Sequence, residues 1–202
     1  MADIVPESEL PRGEVAALVA IQSALAERPG ALRAARMLSY FGEHSIGWLA
    51  VSAVGAILQP RRLRAWLLAG AGAFAAHAAA VLIKRLVRRP RPHHPAVAVN
   101  VGTPSQLSFP SAHATSTTAA AILLARVTRA PLPAMLVPPM ALSRVLLGVH
   151  YPSDVASGVA VGAAIASIAV RIDRRCSATI RAGTARGGTG RLGGSKGGTG
   201  NE

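Results

Sequence analysis

The sequence predicts an all-α fold: an integral membrane bundle of about five transmembrane helices behind an N-terminal amphipathic helix lying at the interface. Three observations predict it. Half of the 202 residues are hydrophobic and the mean hydropathy is +0.36. The apolar residues come in long runs, and one of them, Ala65–Ile83, is unbroken except for His77 and long enough to cross a bilayer. Basic clusters close the runs, at Pro60-Arg61-Arg62, at Lys84 through Arg91 and at Arg171 through Arg175, as expected where spans meet lipid headgroups.

Taken in order, residues 1–12 read as flexible. Being acidic and proline-containing, they lack the pattern of a signal peptide, so insertion is expected to rely on the internal spans. From Gly13 to about Ala26, Val15, Leu18, Val19, Ile21, Gln22 and Leu25 suggest an amphipathic helix lying on the membrane. Arg28-Pro29-Gly30 breaks it, completing an N-terminal segment 1–30. A membrane domain is expected over 31–175. A helix beginning near Ala31 runs into the first span, Ser45–Leu58, entered around Met37–Gly42. Ala65–Ile83 is the second span, followed by a polar loop over 93–109. The third helix starts at about Ser111 and ends near Val127. The fourth, 131–147, holds Pro131, Pro133, Pro138 and Pro139 and is expected to kink or start late. The fifth, Ser153–Ile172, carries Gly158 and Gly162, which permit close helix contact and offer a small-residue face for a homo-oligomer. Residues 176–202 read as a disordered, basic, Gly-rich tail.

The formal charge of +13 and pI near 11.7 would suit a nucleic-acid binder, but aromatics make up only 3% of the chain and the arginines flank apolar runs. No nucleic-acid partner is expected; membrane lipids account for the charge. Cys176, the single cysteine, excludes a disulfide framework and reads as an incidental thiol. Gly70-Ala-Gly72-Ala-Phe-Ala75 loosely fits a dinucleotide fingerprint, but it lies inside a span with no preceding strand.

Three polar clusters interrupt this apolar background: Lys84…Arg91-Pro92, Pro110-Ser111-Ala112-His113, and Ser143-Arg144…His150…Asp154. Ionisable side chains are expensive near lipid and call for a function. The second span ends at the first cluster, the third begins at the next, and the last falls between the fourth and fifth. An antiparallel bundle therefore gathers all three on one membrane face. Lys84, Arg91 and Arg144 supply counter-charge for a phosphate ester, and Ser111 with the N–H groups of Ala112 and His113 opens a helix, a natural anion site. His150 is the candidate nucleophile. Asp154 is placed to hold its far nitrogen, and His113 to protonate the leaving alkoxide and later activate water. The surrounding cations would repel a divalent ion, so no metal and no cofactor are expected. Arg85, Arg88 and Arg89 read as headgroup contacts, His77 as a hydrogen-bonded packing histidine, and His93 and His94 as loop residues.

These clusters resemble the motifs of the type 2 phosphatidic acid phosphatase superfamily, which shares its site with vanadium haloperoxidases and bacterial acid phosphatases. The family's lysine, six residues, then Arg-Pro is matched by Lys84 and Arg91-Pro92. Its Pro-Ser-Gly-His is matched by Pro110-Ser111-Ala112-His113, with alanine for glycine. Its Ser-Arg, five residues, His, three residues, Asp is matched by Ser143-Arg144, His150 and Asp154. The resemblance covers about residues 40–172. It implies a multi-pass phosphatase of the bacterial plasma membrane that acts on a lipid-linked phosphate, with a phosphohistidine intermediate at His150, acid–base work by His113, and phosphate contacts from Lys84, Arg91, Ser111 and Arg144. The short chain and the segment Phe41-Gly-Glu-His-Ser-Ile-Gly-Trp48 look like small actinobacterial members acting on a decaprenyl-linked phosphoribose in arabinan precursor synthesis. Composition alone leaves phosphatidic acid, phosphatidylglycerophosphate and polyprenyl pyrophosphate open as substrates, and an anion-binding or transport protein as the non-enzymatic alternative. Arginines crowd both faces, so sidedness stays open, with a lean toward an outward-facing site.

Overall fold

A computed structural model describes residues 10–189, and the described residues form helices joined by turns and irregular loops, with no strand and one isolated bridge between Pro90 and Leu107. The helices are α1 (Gly13–Leu25), α2 (Ala31–Gly42), α3 (Ile46–Leu58), α4 (Leu63–Val87), α5 (Ala112–Thr128), α6 (Leu132–Leu146) and α7 (Pro152–Thr189). By length and composition, three stretches can cross a membrane: Ala31–Leu58, Pro60–Val87 and Pro152–Thr179. Described residues up to Ser167 form one compact unit, and those from Ile168, the distal part of α7, form a second.

α5 explains how polar residues are accommodated. It begins Ala112-His113-Ala114-Thr115-Ser116-Thr117-Thr118, a stretch too polar to face lipid, and all of these residues are buried. The helix packs against α4 and α6. Thr115, Ser116 and Thr118 return their hydroxyls to the carbonyls of Ser111, His113 and Ala114, so buried polar groups stay satisfied. The small-residue stripe of α7 serves the same packing. A Cβ on Gly158 would sit 2.7 Å from the Ser111 carbonyl, and one on Gly162 would collide with that of Thr115. These glycines bring α7 against α5 within the chain.

The structure departs from the sequence reading in four places. The first crossing is not one helix. Glu43–Ser45 forms a 3-10 turn between α2 and α3, with His44 and Ser45 both left-handed (φ 47° and 62°). α1 does not simply rest on lipid: Leu18 packs with Ala114, Val145 and Val155, and Gln22 is buried. α6 starts at Leu132 and continues through Pro138 and Pro139, which lie on its exposed side. Finally, α7 runs on to Thr189, so the first part of the expected disordered tail is helical; no proline interrupts it, and alanines recur along it. The rest of that tail, and residues 1–9, lie outside the described residues.

Candidate active site

The bundle brings the three clusters together. Lys84 at the end of α4, Arg91 in the following loop, Ala112 and His113 at the start of α5, Arg144 in the last turn of α6 and His150 before α7 line one cavity of about 400 Å³. Of the predicted residues, only Ser111 and Asp154 stand behind its wall. Both are fully buried, and the Ser111 N–H donates to the Asp154 carbonyl at 3.0 Å. Ser111 caps α5, its hydroxyl accepting from the Ala114 N–H at 3.4 Å.

Each cation is held by oxygen acceptors. Lys84 Nζ donates to the carbonyls of Leu107 (2.9 Å) and Ser108 (3.3 Å). Arg91 Nε donates to the Ser105 carbonyl and Nη1 to that of Val149, at 2.8 and 2.6 Å. Burial pulls the Arg91 guanidinium down to about 10, against the pull of the Asp154 and Glu43 carboxylates, so it stays charged at neutral pH. Arg144 is 2% exposed; its Nη1 donates to Ser39 Oγ at 2.7 Å, while its Nε has no hydrogen-bond partner among the described residues. A buried guanidinium so incompletely satisfied is suited to an anionic ligand.

His150 is 2% exposed, and its Nε2 lies 3.4 Å from Arg91 Nη1. Burial, then the charges of Arg144, Arg91 and Lys84, hold its pKa well below the ordinary imidazole value, so the ring is neutral at neutral pH. Its Nδ1 is 3.7 Å from Asp154 Oδ2, beyond a hydrogen bond. The Asp154 oxygens are otherwise engaged: Oδ2 accepts from the Tyr151 N–H at 2.8 Å and Oδ1 from Arg89 Nη1 at 2.9 Å. His113 Nε2 lies 2.9 Å from the Ser39 carbonyl, which can only accept, so that nitrogen carries the hydrogen.

Two sequence readings are corrected here. Arg89 is not a headgroup arginine. Besides Asp154 it donates to Ser153 Oγ and Glu14 Oε2, each at 2.7 Å, and its guanidinium stacks 4.1 Å from the centre of the Tyr151 ring. Glu14 Oε1 in turn accepts from the Ser153 N–H at 2.8 Å. Burial raises the Glu14 carboxyl, but the bonds from Ser153 and Arg89 outweigh it and leave its pKa below the usual carboxylate value. Nor is His77 a satisfied packing histidine: its Nδ1 is buried without a hydrogen-bond partner among the described residues and the residue lines the cavity, as do Glu43, His44 and Arg85. The lone acid in the first turn of α1 was the one sequence signal for Glu14, and nothing local linked it to Arg89, 75 residues away.

The sequence profile of the PAP2 superfamily matches residues 64–177. Two curated relatives are named decaprenylphosphoryl-5-phosphoribose phosphatase. That of Mycobacterium tuberculosis H37Rv is 73% identical over 158 residues, 78% of this chain and 89% of the relative; that of Mycolicibacterium smegmatis is 70% identical over 151 residues, 75% and 84% of the two chains. Among solved structures, the transmembrane PAP2-type phosphatidylglycerolphosphate phosphatase of Bacillus subtilis superposes with a TM-score of 0.63 at 19% identity, covering 79% of this chain and 85% of that one. Aquifex aeolicus LpxE gives 0.61 at 20% identity, covering 77% and 93%. These two likenesses establish the fold. With the family profile over more than half of its length and relatives at 70–73% identity, the chain belongs to the PAP2 superfamily.

Proposed function

We propose that this membrane phosphatase hydrolyses the phosphate monoester of a polyprenyl-linked sugar phosphate, the decaprenylphosphoryl-5-phosphoribose for which its mycobacterial relatives are named, through a covalent intermediate on His150. The observation that carries the reading is the convergence of Lys84, Arg91 and Arg144 with His113 and His150 on one cavity. Three cations match the charge that a phosphoryl transition state spreads over its equatorial oxygens. Neutral His150 attacks phosphorus through Nε2, forming an N–P bond as the ester P–O bond breaks. His113, entering this step as the imidazolium with the bound phosphate dianion as its counter-charge, gives its second proton to the departing alkoxide and is left neutral. Water, relieved of a proton by His113, then cleaves the N–P bond and releases inorganic phosphate. Asp154 stabilises the imidazolium that develops on His150, and the Ala112 N–H, at the start of the helix that Ser111 caps, completes the phosphate cradle. No step calls for a metal, since the cations of the chain supply the counter-charge.

The test uses detergent-purified protein with EDTA present and a panel of lipid phosphates, products being identified by mass spectrometry. Phosphate release from the decaprenyl-linked phosphoribose phosphate is expected, with turnover falling about a hundredfold or more in His150→Ala and His113→Ala. Strict dependence on a divalent metal, or near-wild-type rates in either variant, would overturn the mechanism. Preference for phosphatidic acid over the polyprenyl substrate would overturn the substrate assignment.

A further inference from the structure

Beyond the phosphate cradle, the same cavity carries a second set of polar groups that phosphate chemistry does not use. Glu43 Oε2 lies 3.8 Å from His113 Nε2, Glu43 Oε1 lies 3.4 Å from His44 Nδ1, and the His44 and His77 rings are 5.7 Å apart. All three residues line the cavity. We infer that Glu43, His44 and His77 form a subsite for the hydroxyl groups of the leaving alcohol, making the enzyme selective for esters of polyols such as sugars. The inference rests on the phosphomonoesterase reading above and specifies which half of the substrate this wall of the cavity reads.

Charge places the row on the leaving-group side. A carboxylate repels a phosphate dianion, so Glu43 does not belong to the phosphate end, whereas carboxylate oxygens and imidazole nitrogens can hydrogen-bond sugar hydroxyls. The row starts at His113, whose Nε2 hydrogen lies toward Ser39 and Glu43. This is the residue assigned to protonate the leaving oxygen, so groups just beyond it meet the alcohol rather than the phosphate.

Two features indicate that the row is built rather than incidental. His77 sits within the membrane-crossing stretch Pro60–Val87, where an ionisable side chain is unfavourable, and its buried Nδ1 has no hydrogen-bond partner among the described residues. The turn that presents Glu43 and His44 is strained, with consecutive non-glycine residues at φ 47° and 62°. It is clamped in place: Ser45 Oγ donates to the Ala73 carbonyl at 3.4 Å, Trp48 Nε1 donates to Thr117 Oγ1 at 3.2 Å, and Phe41 meets the Trp48 ring edge-on at 4.8 Å.

The experiment compares kcat/KM for polyol and non-polyol leaving groups on the same preparation, using decaprenyl-linked phosphoribose phosphate, phosphatidylglycerophosphate and phosphatidic acid. His77→Phe is expected to lower the polyol-to-phosphatidic-acid ratio about tenfold, and His77→Gln, which keeps hydrogen-bonding capacity, to restore most of it. Equal losses on all three lipids, or an unchanged ratio, would overturn the subsite. Should His77→Phe be inactive on every lipid, His44→Ala, at a position 61% exposed, replaces it: a lowered ratio supports the subsite and an unchanged one overturns it. If the wild-type protein ignores the phosphoribose lipid, the substrate assignment fails while the subsite is judged on phosphatidylglycerophosphate against phosphatidic acid. If the wild type prefers no polyol ester at all, the subsite fails and the phosphatase mechanism stands.

Discussion

Arg89 and Asp154 form an ion pair across 65 residues of sequence, Nη1 donating to Oδ1 at 2.9 Å, with the guanidinium partly exposed and the carboxylate fully buried. The pair fixes the carboxylate beside His150, because Arg89 and the Tyr151 N–H together engage both of its oxygens. Through Glu14, Arg89 also ties α1 to the start of α7. The N-terminal helix is thereby joined to the residue that faces the candidate nucleophile.

Arg89 is a positioning residue, since it does not line the cavity. Arg89→Ala is expected to lower kcat about ten- to a hundredfold, the equivalent of losing a charged hydrogen bond, while KM changes little. Removing its positive charge strengthens the pull of Asp154 on a proton at His150, so the acid limb of the pH profile should move upward. A merely structural role would reduce the amount of folded protein without moving that limb.

As the proposed nucleophile, His150 is expected to set the pH dependence of the wild-type enzyme. Its depressed pKa, caused by burial and then by Arg144, Arg91 and Lys84, keeps the ring unprotonated below the usual imidazole value of about 6.5. The nucleophile should therefore remain competent below pH 6.5 and be lost only as pH falls through the lower, folded-state value. The sign carries over to stability. The unfolded chain takes up this proton first, so acidification below about 6.5 favours unfolding. A pH profile of kcat/KM with its acid limb at or above 6.5 would contradict the assignment.

Gly42 packs under His113, the proposed acid. A Cβ there would fall 2.6 Å from His113 Cδ2 and 3.2 Å from Met140 Cε. Gly42→Ala should displace the imidazole and lower kcat about tenfold or more, with a much smaller effect on melting temperature in detergent. Comparing the kcat loss with the melting shift separates displacement of His113 from general unfolding.

Gln22 ties α1 to the site loop. Its Nε2 donates to the carbonyls of Ala98 (2.6 Å) and Leu146 (3.0 Å), and its Oε1 accepts from the Ala98 N–H at 3.1 Å. Gln22→Leu would strand these backbone groups, at a cost of about 1–3 kcal/mol. Thermal melting in detergent and proteolysis within the loop over 93–109 should both report it.

The order of helices, the polar loop and the three clusters were legible in the sequence because each depends on local information: apolar run length, helix breakers and motif spacing. Helix parity expected the three clusters on one membrane face, and Lys84, Arg91, His113, Arg144 and His150 line one cavity. Sequence reading also counted Gln22 with the apolar face of α1, gave Arg89 to lipid headgroups and made His77 a packing residue. Each error has the same physical origin, since an isolated polar residue beside an apolar run looks alike whether its partner is water, lipid or a distant backbone group. The sequence by itself determined that this is a helical membrane protein with a phosphate-type residue set. Only the tertiary structure decided that Glu14 and Arg89 brace Asp154, and that a strained turn brings Glu43 and His44 beside His77, because partners from separate helices meet only when the bundle closes.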